Sequence, residues 1–159
     1  MTDHSLDVDS DAAFQYRPGQ SIGYLIRDCY RIFWRSLEAR LARHEVRGGQ
    51  WFFLRELWEE DGLNQRELSK RVGMMEPTTV VAIRGMVEAG LVRRANDKTD
   101  RRKVNIHLTA KGRRLRARLL PYAVEINEIA TKGLSKSEVR TFRRLINRMK
   151  QNLVEAKLD

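Results

Sequence analysis

The stretch from Asn64 to Leu108 constrains the fold of this chain more than any other. Asn64 is a good cap, and Glu67 three residues on closes a capping box ahead of Leu68 and Val72. Gly73 stops that short helix. A second helix is expected to open with Glu76 at the cap and Pro77 at the first helical position, where the missing N–H costs nothing, and to end at Gly90. Leu91 to Arg94 reads as a short strand. Val104 to Leu108 reads as another, alternating Val104, Ile106 and Leu108 with Asn105 and His107. Between the strands lies a polar, charged loop from Ala95 to Lys103. Helix, glycine-containing turn, helix, strand, loop, strand is an arrangement that can lay the second helix in a major groove.

The flanks are helical. Ile22, Leu25, Ile26, Cys29, Ile32, Phe33, Leu37 and Leu41 fall at three- and four-residue spacing, so an amphipathic helix is expected from Ser21 to about His44. Gly48-Gly49 is expected to break the pattern before a second helix from about Gln50 to Glu60, with Trp51, Leu54, Leu57 and Trp58 as its apolar set. Thr109 caps a long helix to about Lys132 with Pro121 inside it, and Ser135 with Glu138 forms another capping box. The fold class is therefore mainly α with a small β-hairpin wing. Its head lies at about residues 50–108, and helices at about 20–46 and 109–155 are left to associate. Residues 1–18 are Asp-rich, end in Pro18-Gly19 and read as a disordered tail.

The net charge is +10, from 31 basic and 21 acidic residues. Residues 1–12 carry Asp3, Asp7, Asp9 and Asp11 and no Lys or Arg, which leaves 31 basic against 17 acidic residues, a net of +14, on the rest. Such a body suits a polyanion, duplex nucleic acid first and an anionic surface second. One cysteine excludes an intramolecular disulfide and a Cys-rich metal site. The acidic start lacks the apolar run of a signal peptide, and Trp51-Phe52-Phe53-Leu54 and Val80 to Ile83 are too short to span a bilayer. A cytoplasmic, nucleoid-associated protein is expected, with no membrane partner.

With Val80, Ile83, Val87 and Leu91 as the buried stripe of the second helix, its outward face is Thr78, Val81, Ala82 and Gly85, with Thr79 at the flank. These residues are small enough for a groove floor to approach, and Val81 and Ala82 suit thymine methyl groups. An αα-hairpin with a small exposed face fits the helix pair equally well. The loop tips the balance: Lys98, Arg101, Arg102 and Lys103 make a tip too cationic to fold back on itself. It is suited to a narrow, negative minor groove, with Asp100 able to orient an arginine.

The run Asp100-Arg101-Arg102-Lys103-Val104-Asn105-Ile106-His107-Leu108-Thr109-Ala110-Lys111-Gly112 closely resembles the wing signature of MarR-type regulators, an Asp and an Arg two residues on before a strand and Leu-Thr-x-x-Gly. Asn64-Gln65-Arg66-Glu67-Leu68, Glu76-Pro77-Thr78-Thr79-Val80 and Glu88-Ala89-Gly90-Leu91-Val92 resemble that family's helix-turn-helix, and the likeness covers about residues 20–155. It implies a homodimer with intertwined terminal helices whose two winged heads read double-stranded DNA at a palindromic site. Thr78, Thr79, Val81 and Ala82 would face the major groove. In the wing of Asp100, Arg101, Arg102 and Lys103, Arg102 would enter the minor groove with Asp100 positioning it. Arg66 and Lys70 either meet phosphates or form a solvated face, the two readings standing level. Family members often carry a polar or basic residue where Ala82 stands, so readout here is expected to lean on the wing and on DNA shape.

Phe142, Leu145, Ile146, Met149 and Leu153 make more apolar stripe than one small head covers, an independent argument for association. Arg140, Arg144 and Arg148, four residues apart, read as a solvated face. The resemblance further implies a small-molecule effector, often aromatic, acting to release DNA from what is usually a repressor. Aromatics at helical spacing are more often core. Even so, Tyr24, Arg27, Tyr30, Arg31, Trp34, Arg47 and Trp51 are the candidates to hold an aromatic or CoA-type anion. Cys29 falls mid-helix at an apolar position and is expected to be buried and inert, with a thiol-based redox regulator as the alternative. Neither His4, His44 nor His107 has a partner at metal spacing, and no phosphate loop or nucleophile motif appears. No cofactor, metal or enzymatic activity is expected. A further alternative is an architectural DNA-binding protein with little specificity and no effector.

Overall fold

The computed structural model describes residues 21–96 and 104–156, and the Asp-rich segment read as a tail lies outside the described residues. In chain order the elements are α1 (Ile22–Ala42), α2 (Gly48–Glu59), β1 (Leu63–Asn64), α3 (Gln65–Val72), α4 (Glu76–Glu88), β2 (Val92–Asn96), β3 (Val104–Leu108), α5 (Ala110–Ala130) and α6 (Lys136–Glu155). The chain divides between Ser36 and Leu37 into two units. The architecture is mainly α with a small antiparallel sheet, as the patterning implies.

In the N-terminal unit, α1 carries an uncovered apolar face: Ile22 is 59%, Leu25 52% and Ile32 55% exposed. Cys29 sits on that helix and is exposed too. The expectation of a buried thiol is therefore corrected. An apolar position on an amphipathic helix is buried only if something covers the stripe.

The second unit holds the head. Its core gathers Phe53, Leu54 and Leu57 of α2, Leu68 of α3, Ile83 and Met86 of α4, and Ile106 of β3, each at most 1% exposed. Gly48-Gly49 forms the first turn of α2 instead of a break, with the Arg47 amide donating to Gln50 Oε1 at 3.0 Å. The sheet order is β1-β3-β2, all antiparallel, with Leu63 opposite Ile106, Val92 opposite Leu108 and Asn96 opposite Val104. β1 has only two residues, too few for an alternation to register in the sequence.

The caps read at Asn64, Thr109 and Ser135 form where expected, whereas the one read at Glu76 falls to Met75. The Glu67 amide donates to Asn64 Oδ1 at 2.9 Å, and the Asn64 amide to Glu67 Oε2 at 3.0 Å. Gly73 then ends α3 at φ +69°, in the left-handed region that glycine enters without steric cost. Asn64→Ala is expected to cost about 1 kcal/mol, or roughly 2–4 °C in Tm by circular dichroism. Asn64→Asp should retain most of the parent stability, and equal Tm for Asn64→Ala would show the cap to be idle.

At α6 the Ser135 amide donates to Glu138 Oε2 at 2.7 Å. That bond, with one from the Ser135 side chain, holds the Glu138 carboxyl below its usual range. The cap therefore contributes above the ordinary carboxylate range and is lost as pH falls through the lowered value.

No residue of α6 is buried, and Phe142 is 61%, Leu145 46% and Leu153 64% exposed. Among the described residues no helix is long and apolar enough to cross a membrane.

Candidate nucleic-acid interface

α3 and α4 meet through a turn of three residues, Gly73 to Met75, and α4 begins with Met75 as the N-cap. Pro77 thus stands one residue later in the helix than the sequence suggested, still within the turn whose N–H groups have no intrahelical acceptor. From the last turn of α3, the Ser69 hydroxyl donates to the Met74 carbonyl at 2.6 Å and closes the corner between the helices.

The buried stripe of α4 is Thr79, Ile83 and Met86. This corrects the expected stripe of Val80, Ile83 and Val87, because Val80 is 43% and Val87 38% exposed. Thr79 is fully buried, and its hydroxyl donates to the Met75 carbonyl one turn back at 3.2 Å. It is therefore withdrawn from the major-groove set: a hydroxyl already bonded inside the head cannot reach a base edge. Gly85 also turns inward, its Cα facing the Gln50 side chain, and Ala82 is half-buried.

With the helix rotated by about one position, the outward face becomes Pro77, Thr78, Val81 and Arg84, with Val80 and Glu88 at its flanks. Thr78 and Val81 remain where expected, Val81 being 59% exposed. Arg84 is a residue the sequence reading missed. It is exposed and has no carboxylate partner among the described residues. Only the phase of the helix brings it to the face, and no motif marks it. Arg66 and Lys70 of α3 are also exposed; Arg66 makes one long contact to Glu76, 3.9 Å, between side chains that are 75% and 64% exposed. Such a pair holds neither residue firmly.

The strands that carry the wing are anchored at their base. Thr109 caps α5 by accepting the Gly112 amide at 3.1 Å, while its hydroxyl donates to Gly90 O at 2.7 Å. Its own amide donates to Leu91 O at 3.0 Å, and Lys111 Nζ reaches Ala89 O at 3.0 Å. Gly112 completes the junction, because a Cβ there would fall on the Leu91 carbonyl oxygen. The run Leu108-Thr109-Ala110-Lys111-Gly112 therefore ties the exit of α4 to the start of α5.

A second brace is Asp61, just past the end of α2. The Asp61 carboxylate accepts the Leu108 amide at 2.7 Å, the Gly62 amide at 3.0 Å and Arg113 Nη1 at 2.8 Å. It joins the end of α2 to β3 and α5. His107 rests against Gly62, where a Cβ would come within 2.8 Å of its ring.

Asp100, Arg101, Arg102 and Lys103, the tip of the wing, lie outside the described residues, as does Lys98. Arg93 and Arg94 of β2, exposed, lead towards it.

The effector candidates fall in both units. In the N-terminal one, Arg27 lies over the Tyr24 ring at 5.5 Å, Tyr30 stacks on Trp34 at 6.3 Å between centroids, and Arg31 pairs with Asp28 at 2.7 Å. In the other, Arg47 is exposed, while Trp51 is 2% exposed and meets Trp58 edge-on at 5.8 Å, a core position. No group of three or more His, Cys, Asp or Glu that could hold a metal occurs among the described residues.

Two helices joined by a tight turn, the second with an exposed face, followed by an antiparallel strand pair tied to its exit, define a winged helix-turn-helix protein. The MarR family model matches residues 48–104. A MarR transcriptional regulator from Methanosarcina mazei Go1 superposes with a TM-score of 0.77 at 30% identity, over 85% of this chain and 97% of that one. This chain belongs to the MarR family.

A MarR family regulator from Listeria monocytogenes, solved with a 26mer DNA, shares the fold at a TM-score of 0.80 and 20% identity, over 86% of this chain and 91% of that one. In sequence, the HTH-type transcriptional regulator TtmR of Methylorubrum extorquens is 38% identical over 94 residues, 58% of this chain and 48% of that protein. The chain spans about half the length of the curated relatives it matches, from 48% to 59%.

Proposed function

We propose that this chain is a sequence-specific, DNA-binding transcription regulator, a repressor that acts as a homodimer on a palindromic operator and is released by a small aromatic or CoA-linked acid. The observation that carries the reading is the outward face of α4. It is exposed, opens at a helix N-terminus and holds Thr78, Val81 and Arg84, which has no carboxylate partner among the described residues. The wing residues Asp100 to Lys103 would add a minor-groove contact, with Arg102 as the inserted residue. Dimerisation is supported by the uncovered apolar faces of α1 and α6. The effector is supported by the arginine and aromatic pairs of α1, since guanidinium and stacked rings together suit an aromatic carboxylate.

The architectural reading draws on the same face. Pro77, Val80 and Val81 offer no hydrogen-bonding groups to base edges, which favours contact without discrimination.

Fluorescence anisotropy across a salt series separates the two, using duplex from upstream of the protein's own gene and a scrambled duplex. Preference of about 10³-fold or more at near-physiological salt supports the regulator. Equal, steeply salt-dependent binding to both would leave the architectural protein.

Arg84→Ala and Arg102→Ala are each expected to weaken specific binding by about 1–3 kcal/mol and to narrow the gap between the two duplexes. Unchanged affinity for Arg84→Ala would remove α4 from base readout.

A further inference from the structure

α6 carries six cations, Lys136, Arg140, Arg143, Arg144, Arg148 and Lys150, and two carboxylates. Both carboxylates are engaged elsewhere: Glu138 closes the helix cap, and Glu155 accepts from Gln151 Nε2 at 2.7 Å. No ion pair among the described residues involves any of the six cations. Several arginines of the other helices do find a carboxylate. Arg31 pairs with Asp28, Arg40 with Glu125, Arg71 with Glu60 and Arg113 with Asp61. Like charges four residues apart repel along a helix, so the row 140, 144, 148 is unfavourable for α6 standing alone.

At about 100° per residue, Arg140, Arg144 and Arg148 share one face, Phe142, Ile146, Met149 and Leu153 lie on the opposite one, and Leu145 stands at the border between them. All three arginines are exposed. A partner that covers the apolar stripe therefore leaves the row in solvent. The three guanidinium groups extend over about 12 Å of helix. A duplex presents one charge per about 1.7 Å of axis, so the row spans several phosphates.

We propose that the Arg140, Arg144 and Arg148 face of α6 is a second DNA-binding surface, which takes the backbone phosphates of a second duplex and lets one dimer bridge two DNA segments. This rests on the DNA-binding reading above. Phosphate backbone fits better than the other polyanions. An anionic membrane would need the apolar face of the helix, which the dimer occupies. An acidic protein would need an apolar or aromatic anchor among the charges, and the other residues on or beside that face, Ser137, Thr141, Asn147, Gln151 and Glu155, are all polar or charged. Guanidinium forks match phosphate oxygens bidentately without such an anchor.

The test loads the full-length protein onto an immobilised duplex from upstream of its own gene. A free fluorescent duplex of unrelated sequence is then offered at micromolar concentration. The parent protein is expected to capture it at 50 mM salt and to lose about 40-fold in affinity by 200 mM, the slope for three phosphates per arginine row. A variant with Arg140→Gln, Arg144→Gln and Arg148→Gln is expected to hold the first duplex as the parent does, to melt at the same temperature, and to lose capture by about 30-fold or more at 50 mM.

Equal capture by the variant overturns the proposal, as does a parent that holds the first duplex and never takes a second. Weaker binding of the first duplex by the variant also overturns it, because the row would then touch the operator itself. So does capture of phosphatidylserine vesicles in place of duplex. A parent that does not hold the first duplex overturns the DNA-binding reading itself, and the bridge with it.

Discussion

Gly112→Ala is expected to lower stability by about 3 kcal/mol, a fall of roughly 10 °C in Tm for a chain of this length. The added methyl group would land on the Leu91 carbonyl oxygen and come within 3.1 Å of Leu108 Cδ2. The first of these is backbone, so no rotamer change relieves the overlap. That carbonyl also accepts the Thr109 amide at 3.0 Å, and Gly112 O accepts Trp58 Nε1 at 2.9 Å. Any shift that makes room therefore strains the junction of α4, β3 and α5. Gly49→Ala is the control: it sits in the first turn of α2 with nothing within 4 Å of a new Cβ. It should be neutral or stabilising by up to about 1 kcal/mol. If Gly112→Ala melts within about 2 °C of the parent, α4 and α5 do not approach each other in this way.

The second large effect concerns assembly. Phe142→Asp with Leu145→Asp is expected to turn the proposed dimer into a monomer at micromolar concentration and to weaken binding to a palindromic duplex by about 10²-fold or more. Both side chains are exposed in the single chain, 61% and 46%, so the folding of one chain loses little by the change. The loss falls on association, because two buried carboxylates would face an apolar partner. Sedimentation velocity reads the mass directly. A double variant that still sediments as a dimer would place the interface elsewhere, and the uncovered stripe of α6 would need another occupant.

Both predictions rest on features legible to different degrees in the sequence. Element boundaries were the clearest, because they depend on neighbours three or four residues away. Asn64 with Glu67, Thr109 with Gly112 and Ser135 with Glu138 bond within one turn, so the pattern of residue types was enough to place each cap. The apolar stripes of α1 and α6 were legible for the same reason. What covers them was not, and Cys29 was misplaced because burial depends on that cover.

The phase of α4 also escaped the sequence. Val80, Val81, Ile83 and Val87 are all apolar, so periodicity alone tolerates a rotation by one residue. Packing of Ile83 and Met86 into the head settled it, and Thr79 went with them because its hydroxyl bonds back to Met75 O. Arg84 came outward as a consequence. Asp61 shows the same limit, since Leu108 and Arg113 lie 47 and 52 residues further along the chain.

The sequence by itself thus determined the order of helices and strands, their caps and the basic character of the body, all of which follow from local bonds and from counting charges. Only the tertiary structure decided which face of α4 meets solvent and which carboxylate braces the wing. Those depend on contacts between residues far apart in the chain, for which no local spacing carries a signal.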